Sequence, residues 1–267
     1  MNSERVSIEV EAGVADVRLV RADKHNALDP EMFLAIREAQ EQLRADPSVR
    51  VVVLSGDGPS FCSGLDLAAV AAGKFDPGML IDRPDDEVAN LAQTASYGWR
   101  SLPVPVIAAV HGACFGGGLQ IALGADIRIA APDARLSVME IKLGLVPDMA
   151  ISAALPRLVR EDVAKDLTFT GRIVDGNEAA ALGLVTRVAD SHRDAALELG
   201  AELAARSPEA IRAIKRLFDE AWQQPPEVTL RLETELVRPL FGTPNQMEAA
   251  RAALAKDRPV FIDPPLE

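Results

Sequence analysis

Two glycine-bearing stretches hold the residues best placed for chemistry, Ser60 to Leu67 (SFCSGLDL) and Cys114 to Gln120 (CFGGGLQ). Gly116, Gly117 and Gly118 stand directly before Leu119, Ile121, Ala122 and Leu123, which are good helix formers, so the glycines are expected at a helix N-terminus. Backbone N–H groups there have no intrahelical partner and carry the positive end of the helix dipole behind them. Each stretch follows a buried apolar run and precedes a helix, and parallel strands bring such loops to one sheet edge. Two N–H donors, one from each loop, can then converge on one oxygen, an oxyanion hole made without side chains and suited to a carbonyl that becomes negative in the transition state. Three glycines alone also fit a simpler role, the close packing of a helix on a neighbouring backbone.

The acids that could work beside such a hole are Glu140 and Asp148, in MEIKLGLVPD, where the turn through Gly144 and Pro147 can fold them toward one pocket. Asp148 can equally cap a helix starting after Pro147. Gln120, just inside the glycine-led helix, can orient a water or a carbonyl compound but has no proton to exchange near neutral pH. His111 ends a strand and reads as a core or pocket-wall histidine rather than a catalytic one. Cys62 and Cys114, the only cysteines, read as small core residues. With His25, His111 and His192 scattered, no metal-ligand spacing is present.

The elements that must position these residues are legible in outline. Val6 to Val10 and Val14 to Val20 alternate around Ala12-Gly13 as a hairpin. Pro30 opens a helix with Met32, Phe33, Ile36, Ala39 and Leu43 at helical spacing, stopped by Asp46-Pro47. Arg50 to Ser55 and Pro105 to Val110 are buried strands, and residues 68–104 are irregular, with a helix expected over Glu87 to Leu102 and the remainder read as a mobile flap or pocket wall. Further strands are expected at Ile127 to Ala131, Leu136 to Val138 and in LVTRV, and helices at Ile151 to Leu158, Glu161 to Phe169 and Glu178 to Leu182, the last closed by Gly183. After His192, amphipathic helices are separated by Pro208, Pro225-Pro226 and Pro244. This rhythm suggests an α/β coil of ββα turns over residues 1–190 and a helical region over 191–267.

A chain of 267 residues, 48% hydrophobic and 25% charged, has the make-up of a globular enzyme-sized protein. A net charge of −12 argues against nucleic acid as a partner. No apolar run approaches the roughly 20 residues that span a bilayer, and the N-terminus lacks an apolar signal core, so no membrane partner and a cytoplasmic location are expected.

RADKHNAL, SFCSGLDL, HGACFGGGLQIALGADIRIA, MEIKLGLVPD, TGRIVDGNEAAALGLV and ARSPEAIRAIKRLF, in that order over nearly the whole chain, resemble the signatures of the crotonase family, the enoyl-CoA hydratases and isomerases. That resemblance implies a crotonase-like spiral of ββα turns with a C-terminal helical trimerisation region, trimers or hexamers, an acyl-CoA thioester substrate, and no cofactor beyond the substrate's own CoA. It implies oxyanion donors at the backbone of Leu65 and Gly117, and CoA lying near Lys24 and along Ser63, Leu65, Asp66 and Leu67. Arg21, Lys24 and, across a subunit contact, Lys256 become candidates for CoA phosphates. The hydratases it resembles carry two glutamates where this chain has Gln120 and Glu140, and usually glycine where it has Asp148. Dienoyl-CoA isomerases are similar in pairing acids at the positions of Glu140 and Asp148, though they carry a third acid where Gln120 stands. Double-bond isomerisation by Glu140 and Asp148 is therefore the leading expectation, with hydration by Glu140 alone, or acyl-CoA binding without turnover, as alternatives.

Overall fold

The structure, a computed structural model, describes residues 4–263. Strands β1 (Val6–Glu11) and β2 (Val14–Leu19) form an antiparallel hairpin, with Ala12 and Gly13 both at positive φ in the turn. Helix α1 (Pro30–Arg44) has Pro30 in its first turn and Asp29 as N-cap, accepting from the Met32 N–H at 2.9 Å. It carries the chain across to β3 (Val51–Gly56), which lies parallel to β2. Short helices α2 (Leu67–Ala71) and α3 (Pro77–Ile81) and the longer α4 (Leu91–Arg100) follow. Next come β4 (Val106–Val110), β5 (Ala113–Phe115) and α5 (Gly117–Leu123), then β6 (Ile127–Ala130), β7 (Arg135–Ser137), α6 (Ile151–Ala154) and α7 (Glu161–Thr170). The core ends with β8 (Val174–Asp175), α8 (Gly176–Leu182) and β9 (Arg187–Val188), before helices α9 (His192–Ala204), α10 (Pro208–Ala221), α11 (Pro226–Val237) and α12 (Pro244–Ala255).

Two sheets result. The larger has the order β1-β2-β3-β4-β6-β9, parallel except for the hairpin, and the smaller has the order β5-β7-β8. Successive turns of the chain place one strand in each sheet and then a helix, as in β4-β5-α5, so the spiral of ββα turns is observed. Both faces of the large sheet are covered. Val52 and Leu54 of β3 face the main core, whereas Val51 and Val53 join Ile107, Ala109 and Ile129 under α9. Gly200 lets α9 lie close to that face, because a Cβ there would stand 3.1 Å from Val53 Cγ2.

Several expectations change. The helix expected from Glu87 begins at Leu91, where Asn90 and Gln93 form a reciprocal capping box. Its Leu91, Ala92, Ala95 and Trp99 are buried against the core, so this helix is part of the packed wall. The helix expected over Ile151 to Leu158 tightens after Ala154 into a 3-10 turn that contains Pro156. LVTRV contributes only Arg187 and Val188 to the sheet, and β5 and β8 are strands whose shortness leaves no alternating pattern. Gly183 closes α8 at φ +93°, as its position suggests.

The two sheets meet where the loop after β3 reaches β5. Cys62 and Cys114 form a parallel bridge, the Cys62 N–H donating to Ala113 O at 3.0 Å and the Cys62 carbonyl accepting from Phe115 N–H at 3.0 Å. Gly118 packs on that same carbonyl, and a Cβ there would lie 2.3 Å from Cys62 O. Gly118→Ala should therefore destabilise the fold by about 2–3 kcal/mol through forced separation of loop and helix. Urea unfolding should show a lower midpoint with an unchanged slope; an unshifted midpoint would mean the loop can retreat freely.

Candidate active site

The loop after β3 is held by two neighbours. Leu28 N–H donates to Gly64 O at 2.8 Å, and Asp66 N–H donates to Leu28 O at 2.9 Å, leaving Leu65 between them. Asn26, fully buried, binds the Asp57, Ser60 and Phe61 carbonyls through its amide nitrogen and so ties residues 21–29 to this loop. Gly64 takes φ +87°, and a Cβ on it would stand 2.7 Å from Phe115 O and 3.7 Å from Gly117 N, so a side chain here would block the approach of the loops. Gly117 is the first residue of α5. Among the described residues, neither the Leu65 N–H nor the Gly117 N–H donates to a protein acceptor. Both are free to bind an acceptor from outside the chain.

Gln120 and Glu140 lie behind these donors, both buried. Gln120 Oε1 accepts from the Met149 N–H at 2.8 Å, which fixes the amide so that its Nε2 donates to Glu140 Oε1 at 2.6 Å. Glu140 Oε2 is buried and has no partner among the described residues. Burial pushes the Glu140 carboxyl above its ordinary range, opposed by the hydrogen bond from Gln120 and reinforced by the charge of Asp148. Gly116, at φ 51°, leaves room for that carboxylate: a Cβ there would stand 3.3 Å from Glu140 Oε1.

Asp148 caps no helix. The N-cap of α6 is Ala150, in the left-handed region and without a side-chain cap, which removes the simpler alternative for Asp148. Its residue is exposed, yet loss of hydration on the protein side raises its carboxyl above the usual value.

Other candidates fare differently. Arg21 is committed to structure, with Nη2 2.8 Å from Asp66 and 3.4 Å from Asp29 and Nη1 donating to Ala27 O, so it is not free for a phosphate. The Asp66 carboxylate caps α2 through Ala69 N–H and pairs with Arg21, which together hold it below the usual range. Lys24, exposed, stands beside Ser63, whose Oγ is 3.5 Å from Lys24 O, and Leu67 is half exposed at the start of α2. Lys256 is exposed at the end of α12. His111 Nε2 binds Gly58 O at 2.9 Å and its ring stacks on His192, a wall role. Both thiols are buried, and Cys62 is pushed up to about 12 by desolvation, too high for a nucleophile near neutrality. Met149 is the contributor with no sequence signal, since a backbone N–H orients Gln120. Among the described residues, no cluster of His, Cys, Asp or Glu has a metal-binding arrangement, and no helix is long and apolar enough to cross a membrane.

A two-sheet ββα spiral with two glycine loops beside a buried acid is the fold of the crotonase class. The family model for enoyl-CoA hydratase/isomerase matches residues 9–264. The chain is 29% identical over 261 residues to the mitochondrial methylglutaconyl-CoA hydratase of Mus musculus, covering 95% of this chain and 81% of that one. It is 34% identical over 228 residues to the carnitinyl-CoA dehydratase of Salmonella enteritidis, covering 84% of each. The crystal structure of enoyl-CoA hydratase from Mycobacterium tuberculosis matches with a TM-score of 0.86 at 29% identity, covering 98% of this chain and 100% of that one. The chain belongs to the enoyl-CoA hydratase/isomerase family.

Because burial raises the Glu140 carboxyl in the folded state, its ionisation opposes folding: stability is full below the ordinary carboxylate value near 4.5 and is lost as pH rises through the raised value. Glu140→Gln should therefore unfold at a higher Tm than the native protein at pH 7, with the gain shrinking toward pH 4. A gain independent of pH would show that folding does not raise the Glu140 carboxyl.

Proposed function

We propose that this enzyme shifts a double bond of an enoyl- or dienoyl-CoA thioester by proton transfer. One observation carries the reading: Glu140 has a free buried oxygen and a fixed amide on its other oxygen, and it feels the charge of a second acid, Asp148, that caps nothing. The thioester oxygen would accept from the Leu65 and Gly117 N–H groups, each such donor contributing about 3 kcal/mol to the dienolate-like transition state. Glu140 takes a proton from the acyl chain, and Asp148 returns one further along it. Both acids reset between turnovers, Asp148 by taking a proton from solvent at its exposed side chain and Glu140 by releasing the proton it took once the product has left. CoA lies past Lys24 and Ser63 to Leu67, and no cofactor beyond the substrate's own CoA is required, because the reaction moves protons without net oxidation.

A second reading, hydration of a 2-enoyl-CoA by Glu140 alone, is supported by relatives named as a hydratase and a dehydratase. The amide of Gln120 weighs against it, since a second proton-exchanging group is missing from that position. Acyl-CoA binding without turnover would not need two desolvated acids.

A panel of enoyl- and dienoyl-CoA substrates followed by absorbance and product mass separates these readings, because hydration adds the mass of water and isomerisation does not. Double-bond migration without mass gain is expected, and Asp148→Asn should lower its kcat by about a hundredfold with KM little changed. Rapid mass gain on a 2-enoyl-CoA, or full isomerase activity in Asp148→Asn, would sink the isomerase reading.

We also propose that the C-terminal helices assemble the chain as a trimer or hexamer. Among the described residues of α10 only Pro208 and Lys215 are buried, while Ile214, Phe218 and Trp222 are about half exposed, and Leu230 and Phe241 more so. Sedimentation at micromolar concentration should give a multiple of 28.5 kDa divisible by three; a monomer would contradict the assembly.

A further inference from the structure

A second polar cavity, of about 320 Å³, opens where α4, α6 with its 3-10 extension, and α10 meet. It shares no residue with the two glycine loops or the acids described above. Arg100 comes to it from the end of α4, Arg157 from the 3-10 turn, and Asp219 from α10. Its lining carries two arginines, Arg100 and Arg157, and two acids, Asp219 and Glu220. Arg100 pairs with Asp219, Lys215 pairs with Asp126 at 2.5 Å, and Glu220 pairs with Arg216 at 2.7 Å. Arg128, buried behind them with its guanidinium on the Leu184 and Ala125 carbonyls, and Arg157 add two cations with no carboxylate of their own. The three acids are thus spent on Arg100, Lys215 and Arg216, and Arg157 is the arginine of the lining left without an ion pair. Arg128 and Arg157 are both held below the ordinary guanidinium value, first by burial and further, in each case, by repulsion from Arg100.

Donors are unspent as well. The hydrogen bonding of Arg157 among the described residues is a single long contact, 3.4 Å, to the Asp219 carbonyl, and Arg100 meets only Asp219. The Tyr97 and Ser152 hydroxyls and the Gln223 amide line the same space and make no protein hydrogen bond among the described residues. A half-buried arginine that leaves most of its fork empty is expensive unless a further acceptor completes it.

We propose that this cavity is a binding site for a small anion, a phosphate or carboxylate group held by the guanidinium forks of Arg100 and Arg157. Planar forks match two oxygens of either group, and Arg157, which has no ion-pair partner among the described residues, supplies the attraction. The volume accommodates an oxyanion together with a short organic substituent or several waters.

The test is titration calorimetry of the intact protein with inorganic phosphate and, separately, with succinate, at ionic strength held constant with chloride. Saturable binding of one anion per chain is expected for at least one probe, and which probe binds distinguishes a phosphate site from a carboxylate site. Arg157→Gln, checked for native Tm, should weaken that binding about tenfold or more. Asp219→Asn, which keeps a hydrogen-bonding group beside Arg100 but removes a negative charge, should tighten it. The proposal fails if neither probe saturates, as when an acid of a neighbouring subunit already fills the cavity, or if folded Arg157→Gln binds as well as the native protein.

Discussion

The contact on which this site depends is that between the Cys62 carbonyl and the backbone of α5 at Gly118. Two loops from different turns of the spiral can present N–H donors to one oxygen only if their backbones nearly touch, and side chains at Gly64 or Gly118 would hold them apart. The parallel bridge between Cys62 and Cys114 sets the register of that approach, and the large sheet sets its position, because β3 and β4 are adjacent and parallel. Backbone donors fixed in this way need little reorganisation when charge develops on a carbonyl oxygen, which is the physical basis of preorganised catalysis.

The acids are held by a different logic. Gln120 is not a proton carrier, but its amide is locked by the Met149 N–H on one side and presents its NH2 to Glu140 on the other. That amide offsets part of the desolvation of the Glu140 carboxyl. The group beside Glu140 is thus an amide, and the acid whose charge reaches Glu140 comes from the 148 turn.

Much of this was legible in the residues. The hairpin, the β3 and β4 strands and the glycine-led helix declare themselves through alternation, apolar runs and good helix formers after glycine. Short elements did not: β5 and β8 have three and two residues, too few for any period, and they exist only because a neighbouring strand pairs with them. Arg21 looked like a phosphate ligand because a lone arginine beside a loop carries no mark of its partners, and only the fold shows it clamped by Asp66 and Asp29. The orientation of Gln120 was likewise hidden, since its determinant is the main chain of Met149. Helix α4 was misread at its start because Glu87 is a good helix former, whereas the reciprocal bonds of Asn90 and Gln93 decide the boundary.

The order of the large sheet also governs how the chain can fold. From β2 onward each pairing is parallel, so each waits for an intervening helix or loop to be threaded before its hydrogen bonds can form, and the last joins Ile129 to Arg187 across a long excursion. Until α9 arrives from beyond β9, the face formed by Val51, Val53, Ile107 and Ile129 is uncovered. A nascent or truncated chain ending before His192 would present that apolar face to its neighbours, so the helical region acts as an intramolecular cover during synthesis as well as a part of the finished molecule.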